Sequence, residues 1–577
     1  MNRLRLPFAL VCLAGAAYAQ LLPDQKLLDF QQLAALYAKQ YAPYEWKRDA
    51  LKVDLLQLAP WLARVRNTKT DIEFYEVCAE YVASLNDAHS QFFLPTDFQA
   101  DLLFEVDLYD GKVLIDFIDP SIARLVTFQI GDELISVDGK SAADWIKELG
   151  RYNSFGNQRS TDRNSASLIT FRPQVVYPRA MEIGDTATVI IRRKSTGSLQ
   201  TYTMTWDKFG LPITVIGPVP SPRLTVAPNK APAVAPKAED GEEGRSQPVR
   251  GYLKPLMSLR NYRMPRQKNI RGYGQITPVF QPSFPTSFAR RLGRNTDFFY
   301  SGTFTAEGKR IGFIRIPDFL DASSFDLEPF ALQQFQTEMT FMQNNTDGLV
   351  VDVMRNPGGD GCYAESLLQR LIPYRFRGTG QEVRVTRDWV LAFSEAIDQA
   401  SFFGVDPVTL DQLKAILAQL QSAYKQNHVR TDVFPQCATY FERDPARDRV
   451  GNSLAYSKPV LLLTDEFSVS AAEVFASVFQ DSGRGPIFGW RTAGAGGSIP
   501  FSPANAGFYS EATAYATQAL LVRTENVVNQ GFPITSYIEN VGVRPDIPVD
   551  YMTEDNLTNR GKAFVERFTA AMLDLLK

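Results

Sequence analysis

The chain has 577 residues, enough for three or four domains, with 45% hydrophobic and 22% charged residues, so most of it folds around packed cores. A wholly disordered or collagen-like chain is excluded, and a formal net charge of −3 leaves no general basic character for nucleic acid or an anionic membrane. Four Cys and two His rule out a disulfide scaffold and leave almost no room for a His-rich zinc site, so a mechanism that needs an imidazole must choose between His89 and His428.

Residues 1–19 read as a signal peptide. Arg3 and Arg5 precede an apolar run from Leu6 to Ala16, and Ala17-Tyr18-Ala19 fits small-residue cleavage before Gln20. The run is too short to span a bilayer, Cys12 lies inside it rather than at the cleavage site, and no later stretch reaches 18 apolar residues. The expected location is secreted or periplasmic, with a mature charge of −5 once both Arg are removed. Cys78, Cys362 and Cys437 remain, so at least one thiol is free or paired between chains, and spacing does not choose a disulfide.

Residues 20–94 read as a helical region. Leu27, Leu28, Phe30, Leu33 and Leu36 recur at three- and four-residue spacing, and Asp49–Val65 and Asp71–Leu85 repeat the pattern until Asp87-Ala88-His89-Ser90 breaks it. Residues 95–210 change to short β-branched runs, Val113–Phe117, Glu133–Val137 and Thr188–Ile191, separated by turns such as Asp110-Gly111. The run Gly131–Gly139 followed by a helix over Asp144–Leu149 resembles the signature of a PDZ domain, which binds an extended chain by strand addition. Residues 211–300 form a linker region: seven Pro fall between Pro218 and Pro248, mixed with an acidic run over Glu239–Glu243. Beyond it, Tyr252, Leu253, Leu256, Tyr262 and Met264 with Arg260, Arg263, Arg266 and Lys268 make a candidate inhibitory segment over about 251–290.

Residues 301–577 alternate strands and helices, the pattern of an α/β layered core. The strands are Ile311–Ile316, Gly348–Met354 and Pro459–Leu463; the helices are Phe325–Met342, one beginning at Ala364, and Ala471–Gln480. A helical insertion around Leu410–Tyr424 interrupts the core over 385–455.

Two segments carry candidate chemistry. Phe467-Ser468-Val469-Ser470-Ala471-Ala472-Glu473 leaves a buried strand and opens a helix, where free N–H groups and the helix dipole favour developing negative charge. Ser468 or Ser470 also fits a plain N-cap. Asp352-Val353-Met354-Arg355-Asn356-Pro357-Gly358-Gly359 also leaves a buried strand, and its paired Gly let backbone approach a ligand. No Gly-Lys-Ser/Thr follows, so it is not a phosphate-binding loop of that type.

These segments, with Ile311–Ile316, Lys458-Pro459-Val460 and Glu539-Asn540-Val541-Gly542-Val543-Arg544-Pro545-Asp546, resemble the tail-specific, or C-terminal-processing, serine proteases, including their tricorn-core and chlamydial protease-like activity factor branches. The resemblance covers most of the mature chain. It implies a ClpP/crotonase-like α/β core, an N-terminal helical region and an inserted PDZ-like domain. It also implies Ser470 as nucleophile, an oxyanion hole from Ala471 and Gly359 with Gly358 adjacent, and a supporting role for Asp481. The Ser/Lys branch carries a lysine twenty-five residues after its nucleophile, where this chain has Ala495. The tricorn-like branch uses a histidine and a C-terminal glutamate, which map to His89 and Glu539; the helper serine that tricorn places before its histidine is Ala88 here.

An imidazole takes a serine proton near neutral pH and returns it to the leaving amine. His428 sits in a polar stretch and reads as a surface residue. The expectation is a serine endopeptidase acting on proteins or peptides, needing no metal or organic cofactor, binding no nucleic acid, spanning no membrane and admitting a homodimer. The competing class is a peptide- or ligand-binding protein on the same fold, without catalysis.

Overall fold

The computed structural model describes residues 20–215, 283–294, 296–320, 327–402, 404–437, 440–499, 504–528 and 531–577. The expected signal peptide and most of the linker and candidate inhibitory segment, 216–282, lie outside the described residues.

Four helices open the fold: α1 (Pro23–Gln40), α2 (Tyr44–Leu51), α3 (Ala59–Asn67) and α4 (Asp71–Ala83). The single helix expected over 49–65 is two. Lys52 takes a left-handed φ of 60° at the end of α2, and Pro60 lies in the first turn of α3. At the start of α4 the Thr70 hydroxyl accepts the Glu73 N–H, and the Glu73 carboxylate accepts the Thr70 N–H. Buried Phe30, Leu33, Tyr37, Tyr75, Tyr81 and Val82 hold these helices together.

The β domain follows, with β1 (Phe104–Tyr109), β2 (Lys112–Ile118), β3 (Glu133–Val137), α5 (Ala142–Gly150), α6 (Gln158–Ser167), β4 (Thr186–Arg192) and β5 (Leu199–Thr205). Its sheet runs β1-β2-β3-β4-β5, all neighbours antiparallel. α6 was not legible in the sequence: it is polar, yet most of it is buried.

The core has β6 (Ala289–Leu292), β7 (Tyr300–Ala306), β8 (Lys309–Arg315), α7 (Glu328–Asn345), β9 (Gly348–Asp352), α8 (Gly361–Leu368), β10 (Val460–Thr464), α9 (Ala471–Asp481), β11 (Ile487–Gly489), β12 (Ile547–Pro548) and α10 (Lys562–Leu575). The sheet order is β6-β7-β8-β9-β10-β11-β12, antiparallel through β8 and parallel beyond. Side-chain alternation separates its faces. Leu349 and Val351 pack with α7, α8 and α9, whereas Val350, Leu461 and Leu463 pack with α10. The insertion is a pair of helices, Arg387–Phe402 and Pro407–Lys425, of which the sequence pattern showed the second.

The N-terminal region closes onto the far end of the chain. Gln91–Phe93 pairs antiparallel with Thr513–Tyr515, and the Asp29 carboxylate accepts the N–H groups of Phe508, Tyr509 and Ser510. This pairing brings the His89 turn to the core. The architecture is the expected one of N-terminal helices, a β domain and an α/β core. Among the described residues no helix is long and apolar enough to cross a membrane.

Candidate active site

Ser470 stands where β10 hands over to α9. Its backbone has φ 57° and ψ −115°, a strained conformation for a residue with a side chain. An N-cap residue ordinarily has extended backbone and a hydroxyl bonded to the following turn. Here the half-buried Ser470 side chain makes no capping hydrogen bond, so it is left for another partner. Ser468 is different: it is fully buried and its hydroxyl donates to the Val353 carbonyl at 2.8 Å. That is a structural hydroxyl, and the choice between the two serines falls to Ser470.

The Ser470 turn is held from below by Glu473. Its buried carboxylate accepts Thr492 Oγ1 (2.6 Å) and the N–H groups of Gly494 (2.8 Å), Ala495 (2.6 Å) and Ser470 (3.4 Å). Burial pushes this carboxyl up to about 7 against those hydrogen bonds. Ala495, at the position of the other branch's lysine, is buried and gives only its N–H.

The glycine pair lies against this turn. Gly358 has φ 94°, and a Cβ there would sit 2.7 Å from the Ser470 Cβ, so the close approach requires glycine. Gly359 has φ 134°, and a Cβ there would meet the Leu320 carbonyl oxygen at 1.9 Å. The loop is clamped by Phe319 N–H to Gly358 O (2.8 Å), Asp360 N–H to Phe319 O (2.9 Å) and Gly358 N–H to Asn356 Oδ1 (2.8 Å). The Gly358 N–H is thereby spent. Among the described residues the N–H groups of Gly359 and Ala471 have no acceptor.

His89 lies in the turn after α4. Asp87 Oδ1 accepts its N–H at 2.8 Å, and Ser90 Oγ bonds to Asp87 Oδ2 at 3.1 Å. Ala88 belongs to the same apolar cluster as Phe467, Val469, Ala493 and Ala495, so the histidine turn packs on the serine turn. The imidazole is half-buried, and its Nδ1 is buried without a hydrogen-bond partner among the described residues. Burial holds it below the usual imidazole range; Lys47 adds to the effect and Asp87 opposes it.

Glu539 is fully buried beside these turns, but it does not hydrogen-bond to His89. Its carboxylate accepts the Lys47 ammonium and the Gly496 N–H (3.0 Å). Burial, with Asp87 nearby, pushes it up to about 8, against the pull of Lys47. Asp481 lies at the far end of α9, roughly 16 Å along the axis from Ser470. It pairs with Arg523 and accepts the Thr524 N–H at 3.2 Å, which braces α9 against the strand Ala519–Val527. His428 is exposed on the insertion.

Lys47 and Asn540 escaped the sequence reading. Lys47 lies on α2 without a local motif, and only the tertiary fold brings it to Glu539. Asn540, inside the quoted Glu539–Asp546 run, accepts Lys47 Nζ at 2.7 Å and donates to the Asn86 carbonyl at 2.8 Å. The one disulfide among the described residues joins Cys362, at the start of α8, to Cys437 of the insertion, and Cys78 is a buried free thiol.

An uncapped serine at a strand-to-helix junction, two unused N–H groups and a packed histidine turn form the kind of site found in serine peptidases. Residues 310–549 match the model of peptidase family S41, and residues 99–212, ahead of that core, match a PDZ domain. A protein of Chlamydia trachomatis serovar D is 26% identical over 572 residues, spanning 92% of this chain and 89% of its own length. An uncharacterized protein of Chlamydia muridarum is 26% identical over 592 residues with the same coverage of both chains, 92% and 89%. The solved structure of mature CPAF superposes with a TM-score of 0.72 at 20% identity, over 96% of this chain and 98% of that one. At that identity the likeness establishes the shared fold.

Proposed function

We propose that this protein is a secreted or periplasmic serine endopeptidase that hydrolyses protein substrates through an acyl-enzyme on Ser470. The observation that carries the reading is the strained, uncapped Ser470 beside the unused N–H groups of Gly359 and Ala471. His89 takes the Ser470 proton as Oγ attacks the scissile carbonyl carbon. The N–H groups of Gly359 and Ala471 receive the oxyanion, while Gly358 shapes the approach and keeps its own N–H on Asn356. The proton then passes from His89 to the leaving amine, and water attacks the acyl-enzyme by the reverse route. Asp87 holds the histidine turn, and Glu539 holds Lys47 and the Gly496 N–H beside it. Asp481 supports α9 from its far end. The PDZ domain suits capture of an extended substrate chain by strand addition.

The Cys362–Cys437 disulfide supports an oxidising compartment, in agreement with the leader expected over residues 1–19. Replacing Ser470 with Ala removes a hydroxyl that caps nothing and has no hydrogen bond among the described residues. The Ser470→Ala protein should therefore fold with an unchanged melting curve and lose all hydrolysis of an unfolded protein substrate. Retained hydrolysis in that variant would refute the assignment, and absence of hydrolysis in the wild type would favour a binding protein.

A further inference from the structure

Beside the histidine turn lies a buried cation to which the mechanism above gives no task. Lys47 is fully buried on α2, and its Nζ meets three acceptors: Glu539, Asn540 Oδ1 at 2.7 Å and the Asn86 carbonyl at 2.9 Å. All three ammonium protons are used. Taking an ammonium out of water costs several kcal/mol before pairing, and an apolar side chain would fill the same space more cheaply. A lysine kept there points to a need for its charge.

Its surroundings say what the charge acts on. Asn86 is three residues before His89, and the bond to its carbonyl ties α2 to the histidine turn. Asp87, fully buried, lies within that turn; its carboxyl is pushed up by burial but held low by Lys47 and His89, which outweigh it. Glu539 faces Lys47 from the C-terminal half, with Glu473 of α9 beyond it. Buried Tyr41 adjoins Asp87 and Glu539, and Arg491 adjoins Glu473. The imidazole therefore has the buried Asp87 carboxylate and the Lys47 ammonium acting on it, while its own Nδ1 has no partner among the described residues.

Resting on the peptidase reading above, we propose that Lys47 is a positioning residue that fixes Glu539 and the Asn86–His89 turn in one array and keeps His89 neutral and ready to accept the Ser470 proton. The ammonium repels a proton on the resting imidazole. Once the Ser470 proton arrives, the ionised Asp87 carboxylate stabilises the imidazolium. The arrangement differs from a lysine base: Lys47 has no proton-accepting lone pair while it is charged, and its contacts are with Glu539, Asn540 and Asn86.

The test compares the full-length wild type with Lys47→Met and Lys47→Arg. It reads the pH profile of kcat/KM, kcat and KM separately, and labelling by a fluorophosphonate probe. Lys47→Met should lower the plateau kcat at least about tenfold with little change in KM. Its acidic limb should move to higher pH by about half a unit or more, because a charge that disfavours protonated His89 is gone. Lys47→Arg keeps the charge but not the three-bond geometry, so the limb should stay in place while kcat falls. A folded Lys47→Met with an unmoved limb, or a Lys47→Arg limb displaced as far as that of Lys47→Met, overturns the assignment. If Lys47→Met does not fold, Lys47→Gln is judged by the same limb, and if neither folds, Lys47→Arg with full kcat overturns it. A wild type that takes no probe and cleaves nothing defeats the peptidase reading itself, whereas a labelled, active wild type with an unmoved limb in the variant defeats only the role of Lys47.

Discussion

The positive φ of Ser470 and the contact between its Cβ and Gly358 are two sides of one constraint. The turn is sharp enough to lift a hydroxyl out of the capping position, and it leaves no room for a methyl group at 358. Gly358→Ala should therefore cost about 1–3 kcal/mol of stability. Because the displaced atom is the nucleophile's own Cβ, activity should fall about 10²-fold or more. Urea unfolding and steady-state kinetics measure the two, and a variant with wild-type turnover would show that the close contact is immaterial. His89→Ala should reduce kcat by about 10³-fold or more. The base works only when neutral, so activity is present above its pKa and lost as pH falls through it. Since burial holds His89 low, the acidic limb should lie below the value of about 6.5 that an exposed imidazole shows. A limb well above 6.5, or a His89→Ala variant within tenfold of wild type, would contradict the assignment.

At the scale of elements, legibility followed periodicity. β3 and α9 came out nearly residue for residue because apolar runs and turn signals bound them. Helix α6 did not: Gln158–Ser167 has no apolar stripe, and its burial rests on hydrogen bonds and on Arg163 pairing with Asp107 and Glu466. The break between α2 and α3 was missed because the apolar spacing continues across Lys52. The serine and glycine segments were legible because strained turns and oxyanion donors restrict residue type locally. Lys47 was not, since its partner is 492 residues away. The disulfide could not be chosen from three cysteines, because Cys362 and Cys437 meet only when the insertion folds back on α8, 75 residues apart in sequence. It ties the helix that follows Gly359 to the insertion. A Cys362→Ser/Cys437→Ser double variant should lose about 4 kcal/mol by the loop-closure argument, with a lower melting temperature. A melting temperature equal to wild type would show that the bond constrains nothing beyond the noncovalent packing.

Across the whole molecule, the site is assembled from parts distant in sequence. His89 follows the N-terminal helices, Gly359 and Ser470 follow two neighbouring strands of the core, and Glu539 lies near the C-terminus. A second buried ionic cluster fastens the PDZ domain to the same loop. Arg163 of α6 bonds to Asp107 of β1 at 2.8 and 3.0 Å, to Glu466 at 2.6 Å and to the Tyr551 hydroxyl at 2.7 Å, and Glu466 is four residues before Ser470. Arg163→Met would leave the buried Asp107 carboxylate with Arg355 alone and Glu466 with Arg159 alone, and the loss of these charge-assisted hydrogen bonds should cost about 2 kcal/mol or more in denaturant unfolding, with both domains affected. A loss below about 1 kcal/mol would show that the cluster does not join them. In the proposed peptidase reading one serine, activated by one histidine, does the chemistry. The most direct measurement is labelling of the intact protein with a fluorophosphonate and mapping of the adduct by mass spectrometry. The account predicts one adduct per chain, on Ser470, absent from Ser470→Ala and strongly slowed in His89→Ala. An adduct on another serine, or labelling that does not depend on His89, would contradict it.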